Sequence, residues 1–93
     1  MTISGITVDD VATYLRLDDA EDPQLAEVLE AAKQYVLSFT GQTADALDAF
    51  PDVAVAVLVL CQDMYDNRTM YAEKTYANRV VDTILSMYRV NFL

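Results

Sequence analysis

The sequence predicts an all-α fold: a small bundle of about four helices around a central apolar helix, with an irregular loop before the last helix. Three observations predict it. Residues 53–61 read Val-Ala-Val-Ala-Val-Leu-Val-Leu-Cys, without one polar side chain. Apolar residues recur at offsets of three and four from Leu25 through Val28, Leu29, Ala32 and Val36 to Phe39. The same spacing returns at Val80, Val81, Ile84, Leu85 and Tyr88. Such offsets gather side chains on one face of a helix, so each stretch has a side to bury.

The first helix starts at Thr7. Its hydroxyl suits an N-cap, Asp9 and Asp10 place negative charge in the first turn, and Ile6 is positioned to staple onto Val11. Asp10 stands where a capping box carries glutamate and is one methylene shorter. Val8, Val11, Ala12 and Leu15 form the apolar stripe, and the helix should end near Arg16 or Leu17. Residues 18–22 then read as a solvated acidic turn, because the alternating oxygen ligands and central glycine of a calcium loop are missing.

Asp22 is placed to cap a second helix with Pro23 at its first position. Gln24, Glu27, Glu30, Lys33, Gln34 and Ser38 take its wet side, and Gly41 is the natural left-handed residue beyond its end. Residues 43–50 form an ordered connector that has room for one short turn capped by Thr43.

The central helix is expected over residues 51–68. Its valines alone would permit a strand, but Val57, Leu60, Cys61, Met64 and Tyr65 continue at helical spacing beyond the length of a typical strand. Pro51 fits a first turn, Asp52 complements the free amides there, and Arg68 has the favourable sign for the carbonyl end. Nine apolar residues fall far short of the ~20 needed to cross a bilayer, so no membrane association is expected. Residues 69–78 show neither period and contain no Gly or Pro, which leaves an irregular loop, a short hairpin or a helical extension open. Residues 79–89 return to helix, with Arg89 suited to its carboxyl end.

At 93 residues the chain is expected to be one domain, 1–93, able to bury ~60 to 70 % of its unfolded surface. No basic segment precedes Ile3 and Ile6, so a secretory signal is not expected. Cys61, inside the apolar run, reads as a small core residue. The charge is uneven. Residues 1–52 hold eleven carboxylates against Arg16 and Lys33 and so carry the whole net charge of -9, while residues 53–93 sum to zero. The front half would repel a polyanion and the back half has no excess to hold one, so direct nucleic-acid binding is disfavoured.

With no His, one buried-looking Cys and only Gly5 and Gly41, most routes to a nucleophile with its base, a metal set or a phosphate loop are closed. No enzyme, cofactor or metal site is expected. Self-association is expected instead, because residues 53–93 combine zero net charge with more apolar area than three short covering helices can hide. The candidate subunit or partner contacts are Tyr65, Met70, Tyr71, Tyr76 and Tyr88 with Phe92 and Leu93 at the terminus. Arg68, Arg79 and Arg89 are the cations beside them. A second reading, from another class, is a monomeric helical adaptor that binds a peptide or partner helix in a groove.

The order of these parts resembles the small head-tail connector proteins of tailed phages. The resemblance spans nearly the whole chain. It rests on Ile6-Thr7-Val8-Asp9-Asp10-Val11-Ala12-Thr13-Tyr14-Leu15-Arg16-Leu17, the acidic residues 18–22, and Leu29-Glu30-Ala31-Ala32-Lys33-Gln34-Tyr35-Val36 running to Phe39-Thr40-Gly41. It continues in Pro51 before the apolar helix, Tyr65-Asp66-Asn67-Arg68 at its end, and Ile84-Leu85-Ser86-Met87-Tyr88-Arg89. One departure is the lack of Gly or Pro between Arg68 and the last helix. The resemblance implies a virion neck protein, assembled from the host cytoplasm into a homo-oligomeric ring of roughly a dozen copies. Such a ring docks beneath the portal protein after packaging, lines the DNA path, and offers a platform to the next neck or tail completion protein.

Overall fold

The computed structural model describes residues 1–17, 23–67 and 79–88. Within them the fold is all-α, with no strand: α1 (Val8–Leu15), α2 (Pro23–Thr40), α3 (Ala44–Leu47), α4 (Pro51–Asp66) and α5 (Arg79–Ser86). The expected acidic turn at 18–22 with the Asp22 cap, and the loop at 69–78, lie outside the described residues.

Local chemistry sets the helix ends. Thr7 Oγ1 accepts from the Asp10 amide at 3.2 Å while Asp10 Oδ2 accepts from the Thr7 amide at 2.9 Å. The shorter aspartate therefore closes the capping box in place of glutamate. At the other end of α1 the chain turns left-handed at Arg16, φ 59°. The Arg16 amide donates to the Thr13 carbonyl and the Leu17 amide to the Ala12 carbonyl, the paired bonds of a Schellman turn. Gly41, φ 70°, takes the same conformation after α2, where the missing Cβ removes the strain. Thr43 Oγ1 caps α3 by accepting from the Ala46 amide at 3.2 Å, so the connector holds a defined turn of helix.

α4 is the centre of the bundle and packs against α1, α2 and α5. Val53, Ala54, Ala56, Val57, Leu58, Leu60, Cys61 and Met64 are buried, leaving Pro51, Asp52, Val55, Gln62 and Asp66 exposed. Around α4 the core draws Val11 and Ala12 from α1, and Leu25, Val28, Leu29, Ala32 and Val36 from α2. Leu47 of α3 and Val81 and Leu85 of α5 complete it, with Ile3 and Ile6 from the amino terminus. Ile6 and Val11, the residues expected to form a staple, are both buried in this common core.

Four expectations are corrected. α4 stops at Asp66 rather than Arg68, because Asn67 leaves helical geometry and both its backbone and side-chain amides bond to the Asp63 carbonyl. α5 stops at Ser86, and Tyr88 sits in the turn beyond it, its amide reaching back three residues to the Leu85 carbonyl at 2.9 Å. Phe39 is only half-buried, while Thr40 is fully buried with its hydroxyl donated to the Val36 carbonyl at 2.8 Å. Lys33 is not on the wet side. It is half-buried, and its ammonium donates to the Ile6 carbonyl at 3.2 Å, which ties the segment before α1 to α2.

Candidate interaction surface

α5 is held to the bundle by polar contacts as well as by Val81 and Leu85. Tyr35 of α2 donates to Asp82 Oδ1 at 2.6 Å and stacks on Phe39, with ring centroids 6.1 Å apart. Burial, then the hydrogen bond and charge of Asp82, push the Tyr35 hydroxyl up to about 12. Tyr88 donates to Asp52 Oδ2 at 2.5 Å, and its ring lies 4.6 Å from that of Phe50. The Tyr88 hydroxyl is also raised, first by its hydrogen bond to Asp52. Gln42 Nε2 donates to the Tyr88 carbonyl.

Of the candidate contact residues, Tyr65 is half-buried against the core and Arg79 opens α5. Tyr88 is half-buried and engaged with Asp52, Phe50 and Gln42 of its own chain. Arg68, Met70, Tyr71, Tyr76, Arg89, Phe92 and Leu93 lie outside the described residues. The structure also presents apolar side chains absent from the candidate set. Val55, Met87, Phe50 and Tyr14 are exposed, Val55 by 50 % and Met87 by 70 %. A signal for Val55 existed: Asp52, Gln62 and Asp66 recur at helical intervals, and Val55 and Val59 fall on the same stripe.

The buried Cys61 thiol is pushed up to about 12 by desolvation, against a smaller opposite pull from Lys33, so it stays a protonated packing group. Among the described residues no three metal-capable side chains converge. An open depression of 540 Å³ on α2 is lined by Ala26, Glu27, Glu30, Ala31 and Gln34, all from one helix. Nor is any described helix long and apolar enough to cross a membrane.

Fold and surface together define a small all-α protein with exposed apolar side chains. A family model described as "Phage gp6-like head-tail connector protein" matches residues 5–89, and the chain belongs to that family. No curated protein and no solved structure matches it.

Proposed function

We propose that the protein is a virion component that assembles as a homo-oligomeric ring between portal and tail. The family match over residues 5–89 carries this reading. In it, roughly a dozen copies line the DNA passage, dock on the portal protein and receive the next neck or tail completion protein. No catalytic step and no cofactor has a part in it. The host cytoplasm supplies the subunits during assembly.

The charge supports a conduit. The chain holds fifteen carboxylates against six Lys and Arg, and Lys33 is committed to the Ile6 carbonyl. A channel built from this chain would present carboxylates to packaged DNA and let it slide without adhering. The same charge opposes assembly at low ionic strength, since -9 is repeated in every subunit. Light scattering over a concentration and salt series tests the reading. Particles of ring mass should accumulate as salt and protein rise. A strict monomer at millimolar protein and high salt, with no affinity for the portal, would overturn it.

A further inference from the structure

The segment before α1, residues 1–6, forms no helix, yet it supplies two core side chains, Ile3 and Ile6, exposed by only 1 % and 3 %. Among the described residues its one backbone-to-backbone bond runs from the Gly5 amide to the Thr2 carbonyl at 3.1 Å, inside the segment itself. Side chains make its polar ties to the bundle instead. Asp48, just past α3, accepts from the Ser4 amide at 3.0 Å, and Lys33 of α2 donates to the Ile6 carbonyl at 3.2 Å. Thr7 already belongs to α1, since its amide and hydroxyl are both engaged with Asp10. The segment is thus a strap fastened to two different elements, with two isoleucines in the core and a firm helix start at its end.

Lys33 joins the strap to the centre of the bundle. Its ammonium sits on the Ile6 carbonyl, and its charge pulls on the thiol of Cys61 in α4, which is fully buried in the same core as Ile3 and Ile6. A segment with no backbone ladder to its neighbours belongs to the low-stability end of a fold, because it can leave while the helices keep their own hydrogen bonds. We propose that residues 1–6 open as one unit while α1, α2 and α4 stay folded, and that this opening uncovers Cys61. The two fastenings act together, so releasing either end frees both. Access to the thiol is therefore gated by a local conformational step. The gate belongs to the single subunit and does not depend on a ring.

The test uses the full chain under native conditions. Hydrogen exchange at the Ser4 and Gly5 amides and alkylation of Cys61 by iodoacetamide are followed from zero urea to just below the unfolding transition. Local opening exposes little surface, so both rates should be nearly independent of urea, whereas amides in the middle of α2 and α4 should show the steep dependence of global unfolding. Lys33→Met keeps most of the stem and removes the donor to Ile6. It should speed Cys61 alkylation and, at the other fastening, exchange of the Ser4 amide, each about tenfold or more. Asp48→Ala releases the strap from the opposite end and should speed alkylation by a similar factor.

Cys61 alkylation that tracks global unfolding in urea would overturn the gate, as would Ser4 and Gly5 amides that open freely while Cys61 stays closed. An unchanged Ser4 rate in Lys33→Met would mean two separate fastenings and no single strap. Should either variant not fold, the urea series on the wild-type chain still decides between local and global opening.

Discussion

Two tyrosine hydroxyls, each donated to a carboxylate on another helix, supplement the apolar contacts that keep α5 on the bundle. Tyr35→Phe removes the α2 tie and leaves Asp82 half-buried without its donor, which should cost about 1 kcal/mol at neutral pH. Urea unfolding of both proteins measures this. The pH dependence has a definite sign. The hydroxyl is raised from 10.0 to about 12 in the folded chain, so its contribution is complete below pH 10 and is lost as pH climbs through 12. Over that window the gap between wild type and Tyr35→Phe should close; a constant gap would assign the loss to packing. Arg16 offers the opposite case, a non-glycine residue at φ 59° in a Schellman turn. Arg16→Gly should raise stability by about 0.5 to 1 kcal/mol, seen as a higher urea midpoint at unchanged slope. A lower midpoint would mean that the guanidinium makes a contact worth more than the strain.

At the scale of elements, α4 sets what can be changed. Leu60 is fully buried where the helix meets its neighbours, and Leu60→Ala should cost 2 to 5 kcal/mol, approximately, through lost transfer energy and a residual cavity. Val55→Ala on the exposed stripe of the same helix should change stability by no more than about 0.5 kcal/mol. Thermal melts of the pair test whether α4 has one solvent-facing side, and similar losses at both sites would contradict that. The helices themselves were legible in the sequence because capping residues and apolar spacing are local signals: Thr7 with Asp10, Pro23 with Gly41, Pro51 with Asp52. Side-chain placements set by non-local contacts were not. Lys33 looks like a wet residue until the chain brings the Ile6 carbonyl to it, and Tyr88 looks like the last residue of a helical stripe until Asp52 takes its hydroxyl. Those pairs stand 27 and 36 residues apart, beyond the reach of any periodicity. For the same reason the packing of Phe50 on Tyr88 emerges only when the chain brings the start of α4 to the turn after α5.

For the whole molecule, charge and apolar surface act in opposite directions. The net charge of -9 opposes assembly and DNA binding alike, whereas the apolar side chains of residues 53–93 favour contact. A mobility-shift assay at low salt should therefore show no useful affinity for duplex DNA. Submicromolar binding that weakens steeply with salt would mean that Arg16, Lys33, Arg68, Lys74, Arg79 and Arg89 gather on one face of the assembly. The most direct test of the connector reading is negative-stain imaging of concentrated protein in high salt. Closed rings of uniform diameter with an open centre are the expected result. Fields of single subunits at millimolar concentration, unchanged when the portal protein is added, would contradict it.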